Sequence, residues 1–181
     1  MKEIVQRAIK QIYFKKDYAY FKLKCLEPLG LPDDFYELLS CAESYDEVSG
    51  GPIAPSLMWY VYFRDVVKGE FKVAYTTMLE ISKVIPVFHI QHQFTVDNED
   101  SNRISPDLDG FSGEAYSKSQ FKFHEKVSKY LMNEGYYELN YAEMNEVICG
   151  LEMPKGIKIF GPQITIETAL FRDVFELCPS E

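Results

Sequence analysis

The apolar positions follow different periods along the chain, and each period predicts an element. Ile4, Val5, Ala8, Ile9, Ile12 and Tyr13 recur at helical spacing and form one apolar face. Residues 17–26 fit two patterns. Tyr18, Phe21, Cys25 and Leu26 suit a helix, while Ala19, Phe21, Leu23 and Cys25 suit a strand. The helix is preferred, ending before Pro28. Pro32 with Asp33 and Asp34 opens a further helix, because proline fits a first turn and acids there complement the dipole. Phe35, Leu38 and Leu39 are its apolar face, and Ser49–Pro55 reads as a loop.

The period then changes to two. Trp59–Phe63 and Phe71–Thr76 are rich in β-branched and aromatic residues, and Lys68-Gly69 supplies a turn, so residues 57–78 read as a hairpin. Val84–Val96 reads as a third strand with Pro86 near its start. Alternation sets Phe88, Ile90, His92, Phe94 and Val96 on one face and Val87, His89, Gln91, Gln93 and Thr95 on the other. Three strands with short turns imply an antiparallel meander. Residues 97–114 read as a long polar loop, of a length that is usually functional or disordered.

Helical signals return after it. Ser117-Lys118-Ser119-Gln120 is a capping-box pattern, Phe123, Val127, Tyr130 and Leu131 form a stripe, and Gly135 is a stop. Asn140 and Glu143 repeat the cap for a helix lined by Met144, Val147, Ile148 and Leu151 and ended by Gly150 and Pro154. Ile157–Phe160 and Ile164–Ile166 read as short strands around Gly161-Pro162, and Thr168 caps a last helix burying Leu170, Phe171, Val174 and Phe175. The expected fold is α+β: a single domain over residues 1–181, with an antiparallel sheet flanked by helices.

Composition narrows the function. Of 181 residues, 46% are hydrophobic and 26% charged, which suits a globular core. Met1 is followed by Lys2, Glu3 and an amphipathic stretch, which is not a secretion signal, and the four cysteines contain no CxxC pair. The chain is therefore expected to be cytoplasmic with reduced thiols. A net charge of −9 opposes binding to nucleic acid or anionic lipid and favours a basic protein partner. Residues 1–31 carry a net of +4, whereas residues 97–152 hold twelve acids and five bases, a net of −7.

The candidate chemistries are sparse. His89-x-x-His92 suits a metal on a helix, but on a strand the rings point to opposite faces. His92 then reads as a core histidine, and His89, beside Gln91 and Gln93, as part of a polar surface ladder. Nothing in the sequence ties His124 to a nucleophile, and Cys149 reads as a buried thiol. Asp97, Glu99 and Ser101 imitate the first ligands of a calcium loop, but Asn102 and Leu108 stand where it needs Gly and Glu. No phosphate-loop, dinucleotide or nucleophile-elbow motif occurs, so no catalytic residue, metal or cofactor is assigned.

The run Leu26-Glu27-Pro28-Leu29-Gly30-Leu31-Pro32-Asp33-Asp34-Phe35-Tyr36-Glu37-Leu38-Leu39 resembles the opening of some bacterial immunity proteins of polymorphic-toxin and contact-dependent inhibition systems. Ser40-Cys41-Ala42-Glu43 stands where that family has an Asn-Gly step. The resemblance implies a cytosolic inhibitor that binds one cognate toxin, often a nuclease. Independently, an inhibitor of a basic nuclease gains rate and specificity from carboxylates and rigid aromatics. The expected partner-binding residues are Asp97, Glu99, Asp100, Asp107 and Asp109, together with Glu134, Tyr136, Tyr137, Glu138, Tyr141, Glu143 and Glu146. Two alternatives stand beside this: an enzyme using the 97–114 loop in its active site, and a structural or regulatory subunit pairing through the sheet edge.

Overall fold

The computed structural model describes residues 2–48, 53–98, 102, 108–154 and 163–179. The helices are α1 (Glu3–Ile9, continued by a π-helical turn over Lys10–Phe14), α2 (Tyr18–Leu26), α3 (Asp33–Leu39), α4 (Lys118–Asn133), α5 (Tyr141–Met144) and α6 (Ile166–Leu170). The strands are β1 (Ser44–Glu47), β2 (Ser56–Lys68), β3 (Phe71–Ser82), β4 (Val87–Asn98), β5 (Leu108–Ser112), β6 (Tyr137–Glu138), β7 (Val147–Glu152) and β8 (Gln163–Thr165). This is an α+β fold, as the alternation of periods predicts.

The main sheet runs β1-β2-β3-β4-β5, all antiparallel, and β6 adds to β4 in parallel. Because successive side chains point to opposite faces, odd positions of β2 and β3 and even positions of β4 share one face. There Trp59, Val61, Phe63, Leu79, Ile81, Phe88 and Ile90 pack under Phe35 and Leu39 of α3 and Phe123, Val127 and Leu131 of α4. A second apolar cluster joins α1, α2, α6 and the start of β4 through Val5, Ile12, Phe21, Val87, Leu139, Leu170 and Phe171. Hydroxyls tie α6 to the sheet: Ser82 Oγ donates to the Leu170 carbonyl at 2.9 Å and Ser56 Oγ to that of Phe171 at 2.9 Å. These carbonyls would otherwise be unsatisfied at a buried helix end.

Several expectations are corrected. The stretch 97–114 is not one loop: Asp97 and Asn98 extend β4, and residues 108–112 form β5 against it. The Asp-Gly step reads as part of the polar loop, but Gly110 lies opposite Phe94, whose ring leaves no room for a Cβ. The helix expected from Asn140 stops at Met144, and Val147–Glu152 instead pairs with Gln163–Thr165. The Asn140–Glu143 capping box is present, but a short helix is easily overruled by a strand partner distant in sequence. Thr165, not Thr168, caps α6, and Thr168 occupies the reciprocal position three residues on. β4 starts at Val87, since Val84 and Ile85 turn into the second cluster. Residues 49–52, 99–101, 103–107 and 155–162, which include part of the expected 97–114 loop and the expected strand at Ile157–Phe160, lie outside the described residues. No helix among the described residues is long and apolar enough to cross a membrane.

Candidate functional site

The expected binding residues divide into two groups placed by different elements. In the first, α4 ends at Glu134 and Gly135, whose φ of 87° only glycine adopts without strain. The chain then enters β6, where Tyr137 pairs with Val87 and Glu138 with Phe88. Alternation turns Tyr137 outward, 51% exposed, and Glu138 inward. Asn140 caps α5 through the Glu143 N–H while the Glu143 carboxylate accepts from the Asn140 N–H, both at 2.9 Å. This fixes Tyr141, also 51% exposed, on a defined turn. Lys2 reaches Glu143 at 3.7 Å. Glu134 is exposed, and Tyr136 packs against the α3–α4 core with its hydroxyl held above the usual range by burial and by Glu134. The carbonyl of Glu146 accepts from the Ile166 N–H at 3.1 Å, joining α5 to α6.

The second group lies elsewhere. Asp97 stands across from Lys72, and Asp109 across from Thr95. Glu99, Asp100 and Asp107 lie outside the described residues. Thr95 and Phe88 are separated along β4 by seven steps, roughly 23 Å of extended chain. Asp109 and Glu138 are therefore not neighbours, and the sheet places the two acidic groups at opposite ends of one strand.

Glu138 belongs to a partly buried polar chain that the sequence does not announce. Thr77 Oγ1 lies 2.8 Å from His92 Nδ1, His92 Nε2 lies 2.9 Å from His124 Nδ1, and His124 Nε2 lies 2.8 Å from Glu138 Oε1. Ser128 Oγ donates to Glu138 Oε2 at 2.6 Å. The carboxylate only accepts, so His124 Nε2 carries the proton of that bond. With neutral rings the donors then run one way: Thr77 hydroxyl to His92, His92 to His124, His124 to Glu138. Burial, with the neighbouring His124, pushes His92 down to about 4. Burial pushes Glu138 upward, but the His124 and Ser128 hydrogen bonds outweigh it and hold the carboxyl below its ordinary range.

A groove of about 600 Å³ lined by Gly113, Phe121, His124, Ser128 and Met132 opens beside this chain. Its chemistry is that of a brace. Both nitrogens of each ring have partners, and the chain ends at Thr77, which is fully buried. It joins β3, β4, α4 and β6, and positions Tyr137 next to Glu138. His89 is corrected from a surface ladder to a core position: it is 4% exposed, with Nδ1 2.7 Å from the Leu139 carbonyl, because the segment after β6 covers that side of β4. One signal was available for the brace. His124 and Ser128 are one helical turn apart, each next to a core residue of the Phe123–Val127 stripe.

The cysteines form no disulfide; Cys25 is buried and Cys149, expected to be buried, is exposed. Among the described residues no group of three or more His, Cys, Asp or Glu is arranged to hold a metal ion. Compared with protein-family models, curated proteins and solved structures, the chain gives no match.

Proposed function

We propose that the protein is an immunity-type inhibitor that binds a basic cognate toxin domain, of the nuclease kind, through the β6–α5 surface. The observation that carries this is the pair Tyr137 and Tyr141, each half-exposed on a hydrogen-bonded element with Glu134, Glu143 and Glu146 on the same stretch of chain. Aromatics held rigid before binding lose little conformational freedom in a complex, and tyrosine is enriched in interfaces. The surrounding carboxylates steer a basic partner and set its register. In this reading Glu138 is a support: its carboxylate holds the brace, and its neighbour Tyr137 makes the contact. The bacterial origin and cytoplasmic location of such an inhibitor belong to the proposal.

The test searches the neighbouring genes for a toxin domain, co-expresses it with the protein and purifies both for stopped-flow binding; neighbours that encode no toxin domain count against the proposal. Protection of growth and saturable binding are expected. Glu134→Gln/Glu143→Gln/Glu146→Gln should slow association and reduce its salt dependence. Tyr137→Ala/Tyr141→Ala should speed dissociation. Wild-type association that ignores salt, together with unchanged kinetics in both variants, would overturn the proposal.

A further inference from the structure

We infer that the groove between α3, β2 and the first half of α4 binds a small organic anion with a flat apolar body. The groove holds about 440 Å³, which falls within the range of small-molecule sites. Its apolar lining comes from Leu38, Ala42, Phe63 and Phe123, with the two phenylalanine rings meeting edge to face at 5.7 Å. Arg64, Lys122 and Lys126 complete the lining.

The local sequence explains the convergence. Lys122 and Lys126 are one turn apart on α4 and share a side of the helix, adjacent to the Phe123–Val127 stripe. Pairing of β1 with β2 stops at Ser44–Tyr62, and a register shift follows between Phe63 and Val66. The β2 edge is therefore uncovered at Arg64, inside the strand, and the bulge there re-aims its side chain.

The charge pattern reverses that of the whole protein. In a chain of net charge −9, Arg64, Lys122 and Lys126 form no ion pair among the described residues, and Glu43 is the acid of the groove lining. Like charges one turn apart destabilise a helix. An anion between them removes that repulsion, and the low-dielectric phenylalanine floor strengthens the attraction. Cations above an apolar floor select a ligand that is charged at one end and flat at the other: an aromatic sulfonate or carboxylate, or a nucleoside phosphate. The inference goes beyond the toxin-binding proposal, because these residues lie on α3, β2 and early α4, whereas Glu134, Tyr137 and Tyr141 follow the end of α4.

The test titrates the full chain with anilinonaphthalene sulfonate and with adenosine monophosphate, using phenylnaphthylamine and adenosine as uncharged counterparts. Binding is read by fluorescence and by amide shifts of residues 119–126. Saturable binding of at least one anion, with shifts centred on Lys122 and weakening as salt rises, is expected. The stronger anion assigns the ligand to the sulfonate–carboxylate or the phosphate class. Arg64→Gln/Lys122→Gln/Lys126→Gln should weaken binding at least tenfold. Lys118→Gln/Lys129→Gln, which removes two charges of α4 outside the groove lining, should leave it within twofold. Ala42→Leu, which narrows the groove without changing its charge, should also weaken binding. Equal binding by the groove and control variants, equal binding of charged and uncharged probes, or no saturable binding of either anion would overturn the inference.

Discussion

The Nε2 atom of His92, on β4, lies 2.9 Å from Nδ1 of His124, on α4. Two imidazoles thus join the sheet to its covering helix, and Glu138 of β6 closes the chain from the other side of His124. One proton per contact satisfies this arrangement. A second proton on His92 goes to Nδ1, where it meets Thr77 Oγ1, a buried hydroxyl that must turn its own proton away to accept it; Thr77, His89, His124 and Glu138 are the polar groups facing the pair.

The pH dependence of stability follows. His92 is held at about 4 in the fold, against roughly 6.5 in an unfolded chain. A lowered folded value means that the unfolded state binds more protons between these limits, so stability is lost as pH falls through the window. About 2–3 kcal/mol should disappear between roughly pH 6.5 and 4, with a further loss below as Glu138 takes a proton. Urea denaturation across this range measures it. His92→Gln should lower stability throughout and flatten the slope; an unchanged slope would show that His92 is not the titrating group.

Glu80 and Arg172 give a second prediction. The Glu80 side chain is 1% exposed; its Oε1 accepts from Arg172 and shares the single Ser56 hydroxyl proton with the Phe171 carbonyl, each acceptor lying 2.9 Å from Oγ. Burial raises Glu80, opposed by Arg172 and Ser56. Arg172→Met should cost about 3–5 kcal/mol, the usual penalty for leaving one buried charge alone. Glu80 then rises further above its unfolded value, so the deficit should shrink as pH falls toward about 4.5. Adding Glu80→Gln should recover part of the loss at neutral pH. A deficit independent of pH would mean that lost packing, not charge, dominates.

Gly110 is predicted to resist substitution. A Cβ there would sit 2.6 Å from Phe94 Cε1, and the same ring stacks edge-on against Tyr116 at 4.7 Å. Gly110→Ala must swing Phe94 away and break that stack, at roughly 1–2 kcal/mol. Thermal melting of the variant checks this. Phe94→Leu should lower the additional cost of Gly110→Ala in a double-mutant cycle.

The α4 cap sets a smaller value. Ser117 Oγ accepts from the Gln120 N–H at 3.2 Å while Gln120 Oε1 accepts from the Ser117 N–H at 3.0 Å. Gln120 Nε2 also donates to the carbonyls of Thr76 and Gln93, so its side chain anchors the helix to the sheet. Ser117→Ala should cost about 1 kcal/mol. Gln120→Ala should cost more, because it removes both the cap and the donor to two partly buried carbonyls. Equal losses in the two variants would contradict this role of Gln120.

Short-range rules were sufficient for much of this chain. The boxes at Ser117 and Asn140, the stop at Gly135, the turn at Gly69 and the alternation along β2–β4 depend on residues within a turn or a strand of one another, and all stand in the structure. Alternation also put His92 on the core side. Long-range pairing decided the rest. Asp109-Gly110 is loop-like by composition until β4 lies across it, and Val147–Glu152 is as good a helix as a strand until β8 supplies hydrogen bonds. The brace is the clearest case. His92, His124 and Glu138 lie 32 and 14 positions apart, and no local pattern links them. They meet because α4 leaves β5 and returns as β6 on the same edge of β4, carrying one turn of the helix over the strand and the carboxylate in behind it. At the Thr77–His92 end burial removes water as an alternative partner, while His124 and Glu138 stay partly exposed and are held by their hydrogen bonds to each other and to Ser128.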